Sequence, residues 1–230
     1  LIKNVGVSFG FLPYSNIGFN YYTKERLDEV DAIIKTTHTG SGGLNQAFIG
    51  AGWQIIKPLS VGFNFAYLWG TNETGVATSS SSDVNTLSKI YRTSVSNYKL
   101  DLGMQFTQPL SMKDMLTFGV VVSLGHNTNA DPECIITNKK STTGKSDSLY
   151  YRLDNAIELP WTYGVGLAYQ HGTSFRMGVD YQLQKWGSLV MPQFVDEGNG
   201  KSDYQLKTGL LKDMHRVNIG ADLSRLTSDL

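Results

Sequence analysis

Apolar and polar residues alternate along most of this chain with a period of two. The clearest example is 61–70, where large apolar side chains fall on one face and small or polar ones fall on the other. Successive side chains of a strand point to opposite faces of a sheet, so this alternation predicts a β-strand. Helical periodicity is scarce, and the sequence therefore predicts an all-β protein.

The same alternation predicts nine strands, and the connections between them are alternately short and long. The strands are assigned to 5–11, 17–24, 44–56, 61–70, 98–106, 116–124, 161–169, 175–183 and 216–223. Short connections fall at 13–16, 57–59, 108–114 and 172–174, and long ones at 28–43, 71–90, 125–149 and 187–214. An up-and-down antiparallel sheet with one short-turn rim is typical of an outer-membrane β-barrel, whose periplasmic turns are short and whose extracellular loops are long.

A soluble β-sandwich or a lipocalin-like barrel would alternate as well. Three features favour a transmembrane barrel. The polar face is made of Gly, Ser, Asn and Gln rather than Lys and Glu, aromatic residues lie near the strand ends, and alternation lasts long enough to cross a bilayer. We predict that the lipid-facing residues are Val61, Phe63, Phe65, Tyr67, Trp69, Leu102, Val120, Val165 and Val179. We predict that the lumen-facing residues are Asn64, Asp101, Gln105, Asp180, Gln182 and Asp222.

Composition narrows the class further. Charged residues make up 17% of the 230 residues, and the formal net charge is zero. A nucleic-acid partner would require a basic excess, so none is expected. Bacterial single-chain barrels have an even number of strands, and nine strands therefore indicate one barrel domain over 1–230 that is incomplete at one or both ends.

Residues that could carry chemistry are few and scattered. His38 and His126 fall in predicted loops, His171 at a turn and His215 beside Asp213, and no histidine lies mid-strand on the polar face with Ser or Asp two residues away. A catalytic base needs a nucleophile within hydrogen-bond reach and an orienting partner, and metal sites need clustered ligands. We expect no enzyme activity, no metal and no cofactor.

Several motifs, in order, resemble those of the FadL/TodX family of outer-membrane transporters of long-chain fatty acids and other hydrophobic compounds. They are 9–21 (FGFLPYSNIGFNY), 43–53 with 57–62, 158–169 (ELPWTYGVGLAY), and 180–186 with 216–220. The resemblance covers most of the chain. It implies a fourteen-stranded barrel with an N-terminal plug, of which neither the plug nor the last strands lie in this sequence.

Two functions follow from this reasoning. The first is uptake or channelling of hydrophobic small molecules such as fatty acids, with Lys99, Arg176 and Arg216 as candidates for binding a carboxylate. Asp101, Asp180 and Asp222 are candidate partners that would neutralise these cations. The alternative is a structural or accessory barrel of a larger outer-membrane assembly or secretion complex. Expected partners are membrane lipid, a hydrophobic ligand and other outer-membrane proteins, in a Gram-negative bacterium.

Overall fold

The computed structural model describes residues 4–28, 31–81, 85–128, 130–140, 143–196 and 202–224. Strands account for nearly all of them, and within these residues no helix is long and apolar enough to cross a membrane. The strands are β1 (Val5–Leu27), β2 (Ala32–Ile56), β3 (Leu59–Ser80), β4 (Thr86–Pro109), β5 (Asp114–Ser123), β6 (His126–Thr128), β7 (Asp131–Lys139), β8 (Ser146–Arg152), β9 (Ile157–Leu159), β10 (Thr162–His171), β11 (Phe175–Gln184), β12 (Val190–Asp196), β13 (Ser202–Thr208) and β14 (Met214–Leu223). A short 3₁₀ helix, η1 (Trp186–Ser188), follows β11.

The main sheet is antiparallel and runs β1-β2-β3-β4-β5-β10-β11-β14. Tight connections at 57–58, 110–113 and 172–174 lie at one end, here called the lower end. The connections at the upper end alternate with them along the chain, and those at 124–161 and 185–213 carry the remaining strands. The all-β, up-and-down antiparallel fold predicted from the sequence is confirmed.

Three predicted connections are wrong. Residues 13–16 form no turn, because β1 runs through them, so two predicted strands are one and the up-and-down path has eight strands. Residues 28–43 and 71–90 are mostly strand rather than loop, since β1 to β4 each extend over 22–25 residues. Their Thr- and Ser-rich segments have polar side chains, but Thr is a good strand former.

Register places the two alternating residue sets on opposite faces of the lower sheet. Cα partners on one face form rows such as Phe63, Leu102, Val122, Tyr163 and Leu183. The adjacent row on the other face is Asn64, Asp101, Ser123, Thr162 and Gln184. The first face is called convex and the second concave, because residues of the second line cavities shared by distant strands.

The polarity of the two faces inverts in the upper half of β1 to β4. On the convex face of β3, Trp69 is followed two residues later by Thr71 and then by Glu73, which pairs with Arg92 of β4 at 2.8 Å. On the concave face, the upper residues include Leu44, Val95 and Tyr91. Apolar side chains therefore lie outside in the lower half and inside in the upper half.

The buried core sits in this upper half. At this height β4 pairs with β7 instead of β5, and β7 pairs with β8. Leu44, Val95 and Ala130 form one buried cluster, and Cys134 and Tyr204 are buried nearby. The upper half is organised like a water-soluble β-sheet, with an apolar inner face and a polar outer one.

Candidate functional site

A cavity of about 370 Å³ lies on the concave face where the curled sheet brings its two ends together. Its lining comes from β1, β4, β5, β9, β10, β11, η1, β14 and the connections beside β5 and β9: Tyr14, Lys99, Ser123, Leu124, Leu159, Pro160, Thr162, Gln182, Gln184, Trp186 and Arg216. Tyr14 and Arg216 lie on the first and last strands of the sheet, so only the curl of the whole sheet brings them to one cavity. The volume is within the range of small-molecule sites, and the lining combines apolar walls with a few polar groups.

Two of the three predicted carboxylate-binding cations reach this cavity. Lys99 forms an ion pair with Asp101, and both side chains are about one-fifth exposed. Arg216 lies opposite Gln182 in the register and forms no ion pair with any described residue. Its guanidinium therefore remains available to an anion.

Arg176 lies elsewhere. It pairs in register with Asp222, lines a separate cavity near the lower end, and is six residues from Gln182 along β11. Of the charge pairs considered from the sequence, only Lys99–Asp101 forms among the described residues. Asp180 instead faces Asn218 and Gly166, because the register of β11 with its neighbours is fixed by the apolar rows.

The upper cavity is the first of four that share lining residues, most of which belong to the concave face. The second shares Gln182 and Arg216 with it, and the third shares Gly119 and Val121 with the second. The fourth, about 600 Å³ in volume, shares Ser60 and Gln105 with the third and ends at the lower turn that contains Lys57 and Pro58. This series is called the passage.

The middle of the passage is bordered by glycines. Gly6, Gly52, Gly62 and Gly103 are consecutive Cα partners across β1 to β4. Gly119, Gly164 and Gly166 continue this border on β5 and β10. The predicted lumen-facing residues all share the concave face with these glycines: Asn64, Asp101, Gln105, Asp180, Gln182 and Asp222. A strand glycine leaves room for close approach by another group.

The convex face carries all nine residues predicted to face lipid, and the medium that this face meets stays a prediction. Phe63, Phe65 and Tyr67 are each between 42% and 49% exposed. Aromatic groups cluster where the convex face changes polarity: Tyr67 stacks near Trp69, Tyr98 stacks on His126 with centroids 4.2 Å apart, and Trp161 stacks on Tyr163. A band of this kind is typical of a strand end at a membrane interface.

The histidine nearest to a catalytic arrangement is His171. Its Nδ1 lies 2.7 Å from Asp114 Oδ1, while the Ser111 hydroxyl donates to Asp114 Oδ2 at 2.5 Å and Tyr169 donates to Oδ1 at 2.6 Å. The carboxylate lies between the hydroxyl and the imidazole, so His171 is not positioned to take the Ser111 proton. The cluster connects the lower turn at 110–113 with the lower turn at 172–174.

Ionisable groups above the sheet are shifted by their surroundings. Burial raises the pKa of Tyr204 to about 12, with the nearby Cys134 and Tyr91 adding to the effect. Burial likewise raises the pKa of the Cys134 thiol, which therefore stays protonated and unreactive at neutral pH. Lys185 and the Gly187 N–H both donate to Asp213 and lower its pKa.

The sequence predicted Lys99, Gln182 and Arg216 among the eleven lining residues and missed the other eight, of which Tyr14 is one. It was assigned to a turn because Pro13 precedes it, but proline inside an alternating segment is also a signal for a bulge. The register of β1 with β2 shifts between Pro13 and Ser15, which leaves Tyr14 without a partner in the ladder.

Comparisons with known proteins give one family and several solved folds. A model of the BamG family matches residues 1–220. Three solved structures share the fold: the CymD monoaromatic hydrocarbon channel (14% identity, TM-score 0.56, covering 97% of this chain and 69% of that one), the Ralstonia pickettii toluene transporter TbuX (12%, 0.57, 95% and 71%) and a TodX ΔS2S3 mutant monoaromatic hydrocarbon channel (13%, 0.56, 96% and 69%). No curated protein matches the sequence significantly.

These comparisons refine the resemblance drawn from the motifs. The likeness to TodX and its relatives holds for the fold, at identities too low to show more than the fold. The family whose model covers the chain carries a different name, BamG.

Proposed function

The chain belongs to the BamG family, and from its fold and its passage we propose that it is an outer-membrane β-barrel that takes up or channels hydrophobic small molecules. The observation that supports this function most directly is the passage. It is a series of cavities that runs from the upper cavity to the lower turn at 57–58, on the concave face of the sheet. The convex face of the same part of the sheet is apolar. Proteins of this fold include channels described for monoaromatic hydrocarbons and a toluene transporter. One fold can serve several functions, so the site must carry the assignment.

The proposed location is the outer membrane of a Gram-negative bacterium, with the lower halves of the strands in the bilayer. The alternating segment from Val61 to Trp69 spans nine residues, and about 9–11 residues are what a tilted strand needs to cross a bilayer. The upper connections, which include 124–161 and 185–213, would be extracellular and the tight lower turns periplasmic. The inverted polarity of the upper half supports this orientation, because a sheet that projects into water needs a polar outer face.

The proposed ligand is a long-chain fatty acid or a similar apolar molecule. Each buried CH₂ group contributes about 0.8 kcal/mol, so a long chain gains affinity from an apolar wall without many polar contacts. Leu124, Leu159 and Trp186 supply such a wall in the upper cavity. A carboxylate also needs a cation, and Arg216 is the unpaired one there, so we assign the headgroup to Arg216 with Lys99 beside it.

Binding of palmitate by the purified protein tests this assignment. Arg216→Gln removes the cation and should weaken palmitate binding about tenfold, since a hydrogen bond to a charged group contributes about 1.5–3 kcal/mol. Binding of methyl palmitate, which has no charge, should change little. Arg176→Gln is the matched control, because Arg176 lies outside this cavity.

The result that contradicts the proposal is equally specific. If neither palmitate nor toluene binds the wild-type protein, the channel function is wrong. If palmitate binds but Arg176→Gln weakens its binding more than Arg216→Gln does, the ligand lies in the separate cavity that Arg176 lines, and the assignment to Arg216 is wrong.

An accessory role in a larger outer-membrane complex is the second candidate. Its supporting observation is the projecting upper half, whose outer face carries a network in which Arg152 reaches Asp131 at 2.5 Å and Glu133 at 3.5 Å. A passage for small molecules does not need this polar wall, whereas a protein partner could dock on it. A deletion strain separates the two: lost uptake of labelled fatty acid supports the channel, and intact uptake with failed assembly or secretion of other outer-membrane proteins supports the accessory role.

A further inference from the structure

We propose that Tyr14 is the gate of the passage: its ring closes the upper end and sets the size of molecule that enters. The inference deepens the proposed function, since a size limit matters only if the passage carries a ligand. It rests on four observations about β1, the neighbouring glycines, the upper cavity and the glycine row below it.

The first observation is the bulge in β1. Pro13 pairs with Asn45 of β2, and Ser15 pairs with Leu44, so Tyr14 is an extra residue between two consecutive partners. A bulge re-aims one side chain relative to the regular ladder. Pro13 suits this place because it has no N–H to donate to the ladder.

The second observation is that the backbone around the bulge is built for close approach. Gly42 has a φ of +104°, and a Cβ there would lie 2.1 Å from the Thr71 carbonyl oxygen. A Cβ on Gly43 would lie 2.5 Å from the Ser15 carbonyl oxygen, and one on Gly70 would lie 2.1 Å from that of Gly43. Gly43 thus makes room for the bulged strand at Ser15, and Gly42 and Gly70 let β2 and β3 approach each other closely beside it.

The third observation is where Tyr14 points. Among the described residues it is the one member of β1, β2 and β3 that lines the upper cavity, and the rest of the lining comes from β4 onward. The indole of Trp186, in the same cavity, donates to Gln184 at 2.7 Å and is held in place. Tyr14 has no hydrogen bond to any described residue and is 43% exposed, so its ring can change rotamer without breaking a bond.

The fourth observation is the row of glycines below the upper cavity. The Gly6, Gly52, Gly62 and Gly103 row places no side chain in the passage. Large side chains such as Lys57 and Met115 line the passage again at its lower end, so control over what enters from above falls to the large side chains of the upper cavity. Tyr14 is the large side chain there that is both re-aimed by the backbone and free of a hydrogen bond.

Single-channel conductance in planar bilayers tests the gate without reference to any ligand. Tyr14→Ala should raise the conductance severalfold, because it removes the ring, and Tyr14→Val should do the same while keeping a good strand former. Tyr14→Phe should behave like the wild type, since it keeps the ring. Leu12→Ala is the matched control, because it removes bulk from the same face of β1 outside the cavity lining.

Uptake measured in parallel separates this inference from the proposed function. With toluene and a two-ring aromatic hydrocarbon as probes, Tyr14→Ala should admit the larger probe and leave toluene uptake nearly unchanged. Equal conductance and an equal size profile in Tyr14→Ala, Tyr14→Val and the wild type would overturn the gate even if the wild type takes up toluene. Raised conductance with no uptake of either probe by the wild type would keep the gate and reject the channelling of hydrophobic molecules.

Discussion

Whether a position in this sheet holds an apolar or a polar residue depends on two things. One is the face to which its side chain points, and the other is its distance from the lower end of the strand. Phe65 and Asn64 are neighbours in β3, yet one lies in the apolar convex row and the other faces Asp101 on the concave side. Thr71 has the same parity as Phe65 but lies above the point where polarity changes, and its hydroxyl meets Ser94 at 3.0 Å. Odd or even position along a strand therefore sets the face, and the distance from the lower end sets whether that face is apolar or polar.

Arginine scanning tests the sidedness directly. Phe65→Arg should cost about 2–4 kcal/mol of unfolding free energy in lipid, because it places a charge near the bilayer midplane. Asn64→Arg, one residue away, should cost far less because its side chain enters the polar concave side. Urea unfolding in lipid vesicles measures both, and equal costs would show that the assignment of one face to lipid and the other to the lumen is wrong.

The Lys185–Asp213 contact should make the upper connection sensitive to acid. The folded-state pKa of Asp213 is lowered, so its stabilisation is present above the unfolded pKa and is lost as pH falls through the folded value. Thermal melts of the wild type and Asp213→Asn should therefore differ at pH 7 and converge in strongly acidic buffer. A gap that stays constant with pH would show that the carboxylate acts without its charge.

At the scale of the element, β1 shows how one extra residue redirects a whole strand. Odd-numbered residues up to Pro13 share the convex face, but after the bulge Ile17, Phe19 and Tyr21 share the concave one. The alternation in sequence continues unchanged while the faces exchange. The other three long strands reach the same inversion through a change of residue types.

Gly42→Ala tests how much the close approach of β2 to β3, beside the bulge, depends on glycine. The substitution puts a Cβ against the Thr71 carbonyl at a positive φ, and it should destabilise the protein by about 1–3 kcal/mol. Gly18→Ala is the control in the partner strand, because nothing lies within 4 Å of its added Cβ. Similar melting temperatures for the two variants would mean that the backbone relaxes at little cost.

The sequence predicted the lower halves of the strands well because an apolar row confined to one face leaves a strict period of two. It failed at the upper halves, where Thr37, Thr39 and Thr71 are polar on the convex face and therefore carry no hydrophobic signal. Pro13 was taken for a turn because the rule for proline does not separate a turn from a bulge. Only pairing with β2 decides between them.

For the whole molecule, the candidate site depends on curvature that no local pattern records. Lys99 and Arg216 were candidates by face alone, and the curl of the sheet separates them from Arg176 by placing them at one cavity. Tyr14 joins them from the opposite edge of the sheet. Sequence spacing contains no information on which strands meet across a barrel.

The orientation of the molecule is tested by tagging its two ends. An epitope inserted near Ser80, at the upper end, should bind antibody on intact cells. One inserted at Lys57, in a tight lower turn, should bind only after the outer membrane is opened. Labelling of the Lys57 tag on intact cells, with the Ser80 tag hidden, would show that the molecule is inserted the other way up.

In the proposed location, the inversion of polarity between Trp69 and Thr71 would also fix the depth at which the protein sits in the bilayer. A shift of a few residue steps deeper would carry Glu73 and Arg92 into hydrocarbon, and an equal shift outward would expose the Tyr67 and Trp69 rings to water. Each direction is opposed by a different penalty, one for burying charge and one for wetting apolar surface. A bilayer of another thickness must therefore adapt to the protein, by thinning or thickening around it, because the protein cannot adapt by sliding.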